Sequence, residues 1–178
     1  IENTKENKIS LQQFIINQIN VEFDRDLSAV GIAFTDYLHP SGWMLTSLEQ
    51  ISKEINVDVS ILNIVLQKLK GLEPIGIFAQ SLSDCLKIQL QDKGLYNESF
   101  NTLLNNLDLL TKGKIRQLSK MCNVDNNKII EMVNFVKTLN PKPAESFLEQ
   151  ELNISQPDVI VSKTIRGWKI DLNKSIFI

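Results

Sequence analysis

The chain has 178 residues, 43% of them apolar and 22% charged, with a formal net charge of −2. That composition excludes a fibrous or wholly disordered protein, and the length suits one medium domain or two small ones with a real core. The longest apolar runs, Phe14-Ile15-Ile16 and Ile75-Gly76-Ile77-Phe78-Ala79, fall far short of the roughly 20 residues a membrane-spanning helix needs. Residues 1–8 lack the basic start and apolar centre of a signal peptide, so a cytoplasmic protein with no membrane partner is expected.

The periodicity is helical almost throughout. Ser10 and Gln13 form a capping-box start for a helix carrying Leu11, Phe14, Ile15 and Ile19. A second helix carries Leu27, Val30, Phe34 and Leu38 and is stopped by Pro40 and Gly42. Thr46 and Glu49 open a short helix with Leu48, Ile51 and Ile55. After Asn56-Val57-Asp58 a longer one carries Leu62, Val65, Leu66 and Leu69, closed by Gly71. Ser81 caps a helix through Leu82, Cys85, Leu86 and Leu90 that Gly94 ends. Phe100, Leu103, Leu104, Leu107 and Leu110 predict one helix, Ile115, Leu118 and Met121 a short one, and Ile129, Ile130, Val133 and Val136 a last long one. The prolines of Asn140-Pro141-Lys142-Pro143 end helical structure. From Pro157 the period shifts towards two, and residues 158–161 and 168–172 flank a turn near Arg166-Gly167, predicting a β-hairpin that needs something to pack on. The apolar ending Ser175-Ile176-Phe177-Ile178 and the missing initiator Met suggest a piece of a longer protein.

Residues 50–74 are echoed by residues 117–141. Nine of the 25 positions are identical: Gln50/Gln117, Ser52/Ser119, Lys53/Lys120, Asn56/Asn123, Val57/Val124, Asp58/Asp125, Lys70/Lys137, Leu72/Leu139 and Pro74/Pro141. Each copy reads as short helix, three-residue turn, longer helix, with the valine plugging the angle and the aspartate capping the second helix. The pattern fits a helix-turn-helix present twice; two unrelated hairpins sharing cap chemistry would look similar.

Little here supports catalysis. Cys85 and Cys122 sit in apolar helical stretches without CxxC spacing, and metal ligation needs three or four converging ligands. The single histidine, His39, falls in the turn-like His39-Pro40-Ser41-Gly42 with no nucleophile motif beside it. The seven glycines are scattered, so no phosphate-cradling loop is visible. Neither an enzyme nor a cofactor is expected.

Charge divides the chain. Residues 1–110 hold 8 Lys and Arg against 14 Asp and Glu, whereas residues 111–178 hold 11 against 7, a swing from −6 to +4. Lys112, Lys114, Arg116 and Lys120 fall in one stretch with no acid between them, a candidate face for phosphates or for an acidic protein surface, or an ordinary solvated helix face. Neither second helix starts like a strong major-groove reader. The first offers Ser60, Asn63 and Gln67, and the second Asn126, Asn127 and Lys128 with Glu131 one turn on. Protein docking is the better expectation for the first copy.

The stretch Leu72-Glu73-Pro74-Ile75-Gly76-Ile77-Phe78-Ala79-Gln80-Ser81-Leu82, followed by Cys85-Leu86 and Gln89-Leu90, resembles the core-binding region of the bacterial sigma-54 family of RNA polymerase sigma factors, with its Leu-Asp-Pro-x-Gly-hydrophobic-Gly-Ala-Arg-x-Leu-x-x-Cys-Leu-x-x-Gln-Leu pattern. Three further elements match in order: residues 10–19, Leu139-Asn140-Pro141-Lys142-Pro143-Ala144, and Pro157-Asp158-Val159 through Gly167-Trp168 to Leu172-Asn173. Phe78 replaces the family's second glycine, Gln80 its arginine, Glu73 its aspartate and Ala144 a glycine; the Phe78 change suggests a rebuilt turn, and the Gln80 change removes a charge.

The resemblance implies a non-enzymatic protein that docks on bacterial core RNA polymerase. Promoter DNA and an activator ATPase would be engaged mainly through regions outside this chain. The motif residues Leu72, Pro74, Gly76, Ala79, Leu82, Cys85, Leu86, Gln89 and Leu90 are expected to serve packing more than contact. The expected organisation is an all-α helical bundle with two helix-turn-helix-like units and a short C-terminal β-hairpin: residues 1–9 a flexible lead, 10–93 a core-binding subdomain, 94–145 a second helical subdomain, and 146–178 a linker and hairpin leading to a DNA-binding domain. The alternatives are a stand-alone helix-turn-helix DNA-binding regulator and a purely structural helical scaffold.

Overall fold

The computed structural model describes residues 9–147, 159–164 and 167–172, and the expected N-terminal lead and most of the 146–178 linker lie outside them. The chain is mostly helical: α1 (Leu11–Glu22), α2 (Arg25–Phe34), α3 (Leu48–Ile55), α4 (Val59–Leu69), α5 (Leu82–Asp92), α6 (Glu98–Asn105), α7 (Leu107–Thr111), α8 (Ile115–Cys122) and α9 (Asn126–Val136). Strands β1 (Val159–Thr164) and β2 (Gly167–Leu172) pair antiparallel, with Val159 opposite Leu172 and Lys163 opposite Trp168.

Side-chain caps set several of the helix starts. Ser10 accepts from the Gln13 N–H, Ser81 from Asp84 and Asn97 from Phe100, each satisfying a donor the first turn leaves orphaned. At α3 the cap is Ser47, which accepts from Gln50, and not Thr46; this register buries both Leu48 and Ile51. The second helix ends at Phe34, short of Leu38, because the Thr35 hydroxyl bonds back to the Ile32 carbonyl at 2.7 Å and the chain tightens into a 3-10 turn. Leu38 then bridges Met44 antiparallel. The single helix expected over Phe100 to Leu110 is broken at Asn106 (φ −127, ψ 35), whose amide captures the Thr102 carbonyl at 2.8 Å. Gly71 is no left-handed terminator: α4 closes on right-handed Lys70, and Thr138 holds the matching place after α9 with the same type of backbone bond.

The two helix pairs α3–α4 and α8–α9 turn identically. Asn56 (φ 54, ψ 45) and Asn123 (φ 53, ψ 44) are left-handed, a conformation asparagine tolerates better than most residues. The N–H groups of Val57 and Val124 return to the Ser52 and Ser119 carbonyls at 3.3 and 3.1 Å. Asp58 and Asp125 cap the helices that follow. The apolar interior forms two main clusters. One runs from Ile15 through Phe34, Ile51, Leu62 and Leu69 to Phe78, with Val57 packed against it. The other runs from Leu86 through Leu103, Leu118 and Ile129 to Leu139, with Val124 against it. Helix α5 is shared between clusters: Leu86 and Leu90 belong to the second, whereas Cys85 and Ile88 form a small third one with Ala79. Leu86 and Leu90 are buried, and α5 packs against α6. No helix among the described residues is long and apolar enough to cross a membrane.

Candidate functional site

The segment from Leu72 to Leu90 folds into a strap and a helix locked to α1 through Gln18 and to the stretch after α9 through Asn140. Gly76 adopts φ +98, and a Cβ there would lie 2.8 Å from Gln89 Nε2 and 3.0 Å from Cys85 Sγ, so only glycine fits this crossing. Gln89 donates to the Asn140 carbonyl at 2.6 Å and accepts from the Asn140 N–H at 2.9 Å. Its amide thereby pairs with the backbone just before Pro141. Gln18 on α1 does the same just before Pro74, donating to the Glu73 carbonyl at 2.8 Å and accepting from the Glu73 N–H at 2.9 Å. Trp43 Nε1 donates to the Pro141 carbonyl at 2.9 Å, while Ala79 accepts from the Met44 N–H and Gly42 accepts from Phe78. Pro143 and Ala144 close over Gly42, with the Ala144 Cβ only 3.1 Å from where a Gly42 Cβ would stand.

Of the nine motif residues, Leu72, Gly76, Ala79, Cys85, Leu86, Gln89 and Leu90 are buried, Pro74 is half-buried and Leu82 is exposed. Burial pushes the Cys85 and Cys122 thiols up, the former partly offset by the hydrogen bond from Gln89. Phe78 occupies the family's glycine position with φ +59. That is left-handed backbone of the kind a glycine favours, and the ring is fully buried, edge-on to Phe34 at 6.5 Å. Gln80 is exposed, and its N–H donates to Asp84 Oδ2, which also takes the Lys70 ammonium at 2.7 Å. His39 Nδ1 accepts from the Ser41 N–H at 3.1 Å and closes its own turn. Among the described residues no group of three or more His, Cys, Asp or Glu is placed to hold a metal ion.

Two exposed surfaces remain. On α4, Ile61 and Ile64 point outward beside Ser60, Asn63 and Gln67. Sequence reading passed over these two isoleucines, although seven of the eleven α4 residues are apolar (Val59, Ile61, Leu62, Ile64, Val65, Leu66, Leu69), more than a one-sided core stripe holds. The other surface is the basic stretch. Lys112, Lys114, Arg116 and Lys120 are all exposed around the start and face of α8. Leu118 and Cys122 anchor the helix from below. Lys112 pairs with Asp108 at 3.4 Å. Lys112 closes α7, Lys114 stands at the N-cap of α8, and Arg116 and Lys120 lie on α8 itself.

Residues 1–177 match the family described as "Sigma-54 factor, core binding domain". The chain is 34% identical over 167 residues to an RNA polymerase sigma-54 factor of Cereibacter sphaeroides, covering 93% of this chain and 38% of that protein. It is 33% identical to one of Rhodobacter capsulatus over 169 residues, covering 94% and 40%. The chain thus spans well under half the length of these curated relatives. Among solved structures, Aquifex aeolicus sigmaN bound to promoter DNA shares the fold with a TM-score of 0.54 at 21% identity, over 93% of this chain and 46% of that one.

Proposed function

We propose that this chain, which belongs to the sigma-54 factor core binding domain family, docks on bacterial core RNA polymerase as the core-binding part of a sigma-54-type initiation factor. The observation that carries the reading is the family match over residues 1–177. The ordered motif folds as one knot, with Gly76, Gln89 and Asn140 in contact across the chain, and this supports the reading. In it, the two helix pairs act as helix-turn-helix-like scaffolds without base reading of their own. The face around residues 10–93 meets the polymerase, with Ile61 and Ile64 as apolar anchors of the kind protein interfaces use. Promoter selection and the response to an activator ATPase belong to parts of the factor beyond this chain, the chemistry is binding without catalysis or cofactor, and the partner places the protein in the cytoplasm. The test is a pull-down with purified core polymerase in which a primary-type sigma factor competes. Saturable binding that the competitor removes is expected; a folded chain that fails to bind at low salt overturns the proposal.

A further inference from the structure

The loop at residues 41–44 is gripped by two straps of different character. The first, after α4, donates from the Phe78 N–H to the Gly42 carbonyl and accepts at the Ala79 carbonyl from the Met44 N–H. Ile77, Phe78 and Ala79 are fully buried, so this grip belongs to the core. The second strap follows α9. Trp43 Nε1 donates to the Pro141 carbonyl at 2.9 Å across 98 residues, and the Ala144 N–H donates to the Ser41 carbonyl at 3.4 Å. Pro143 and Ala144 are buried on Gly42, where a Cβ would stand 3.1 Å from each of them. At the far end the Phe147 ring meets Phe14 of α1 at 5.4 Å. The chain that leaves α9 beside the second cluster is thereby returned to the first.

The second strap is the lighter grip. Asn140, Pro141, Lys142, Glu145 and Ser146 are exposed, and the bond to Ser41 is long. Segments with few buried apolar side chains and water-exposed hydrogen bonds open at lower cost than the core beneath them. The second cluster is built from residues up to Leu139, and α8 packs on α6, α7 and α9, so that interior survives with the strap lifted. What the strap covers is Cys85. This thiol is fully buried, with the Asn140 and Pro141 carbonyls 3.7 and 3.9 Å away and the Gln89 amide at 3.3 Å. Cys122, the other free thiol, is buried on α8 within the second cluster.

We propose that residues 140–147 form a latch that lifts from loop 41–44 as a unit while both main clusters stay folded, with Trp43 as the positioning residue that holds it shut. Closed, it starts the residues beyond Phe147 from beside α1; open, it lets them start from the end of α9. The proposal rests on the proposed function only for its use, which is to set where those residues stand when the chain is docked on polymerase. The two native thiols read the latch in the chain alone, so a chain that never binds polymerase defeats the proposed function and leaves this test intact. Iodoacetamide is added in excess, and the labelled Cys85 and Cys122 peptides are followed over time by mass spectrometry. When closing outpaces labelling, each rate tracks the open population at that thiol. Trp43→Phe keeps an aromatic ring and loses the bond to Pro141. Cys85 should then label at least about fivefold faster, the factor one net hydrogen bond leaves in an opening equilibrium. The same change removes a hydrogen bond that holds the Cys85 thiol down, which slows its reaction, so faster labelling reports exposure. Ala144→Asp keeps Trp43 and puts a carboxylate into the buried seat on Gly42, and it should speed Cys85 by at least about thirtyfold. Cys122 should stay within about twofold of the parent in both variants. An unchanged Cys85 rate in either variant overturns the proposal. So does a parallel rise at both thiols in Trp43→Phe, which would make Trp43 a support of the whole fold.

Discussion

The two glutamine clamps offer a controlled measurement of what burial adds to one hydrogen-bond pattern. Gln89 and Gln18 each make two bonds to a residue that precedes a proline, with similar lengths. Gln89 is 7% exposed and its amide also reaches Cys85 Sγ at 3.3 Å, whereas Gln18 is only half-buried, with both bonds open to water. Methionine has nearly the volume of glutamine, so Gln89→Met and Gln18→Met remove the amide and little else. A net hydrogen bond is worth about 1 kcal/mol, and leaving a buried partner unsatisfied costs more. Gln89→Met should therefore lose about 2–3 kcal/mol. Water replaces the lost partner at Gln18, and the loss there should be about 0.5–1 kcal/mol. At about 2–4 °C per kcal/mol for a chain of this size, thermal melts followed by circular dichroism should separate the variants by several degrees, Gln89→Met the lower. Equal shifts, or a larger one for Gln18→Met, would refute the argument that desolvation sets the difference.

Phe78 tests the left-handed turn. Phe78→Ala loses the buried ring, a loss of about 3–5 kcal/mol, and leaves an L residue at φ +59. Phe78→Gly loses the same ring but relieves about 1 kcal/mol of backbone strain. The melting order should be parent, then Gly, then Ala; alanine at or above glycine would contradict the turn assignment. Asp58 tests a cap by pH. Hydrogen bonds from the Ser60 side chain, and then its backbone, hold the Asp58 carboxyl below the usual aspartate range. A depressed folded value contributes stability above the unfolded pKa of about 3.9 that is lost as the pH falls through the folded one. Asp58→Asn keeps a capping oxygen without the charge, so the parent's advantage in melting temperature should be steady above about pH 5 and shrink below about pH 4. An advantage that stays constant or widens in acid would rule the cap charge out.

Helix existence was legible because apolar spacing and capping residues agree, as at Ser10, Ser81 and Asp125, where local chemistry and burial point the same way. Boundaries slipped where a side chain competed with the backbone. Thr35 and Asn106 each took a carbonyl and broke a continuous apolar pattern, and periodicity carries no sign of that. The repeat of Asn-Val-Asp was visible in the letters, and its left-handed asparagine follows from them. The glutamine clamps were not visible, since nothing local to Gln89 says that Asn140, 51 residues on, will present its backbone there. The same holds for Trp43 and Pro141, 98 residues apart. Long-range polar pairing is fixed by how helices stack, and stacking is a property of the whole core.

The echo between residues 50–74 and 117–141 bears on where function is to be sought. The residues shared by the copies, such as Asn56/Asn123, Asp58/Asp125 and Leu72/Leu139, set backbone turns, caps and core. The motif residues behave the same way, with Gly76, Cys85 and Gln89 holding one another in the interior. Matching such residues identifies the scaffold, because a fold tolerates few alternatives at a crossing where even a Cβ does not fit. A partner meets the exposed positions, and several of these differ between the copies (Ile61 against Lys128, Ile64 against Glu131, Glu49 against Arg116), while Gln50/Gln117 and Lys53/Lys120 are exposed and shared. Exchanging exposed residues between the copies, which leaves caps and core untouched, is therefore the perturbation that separates recognition from folding in this chain.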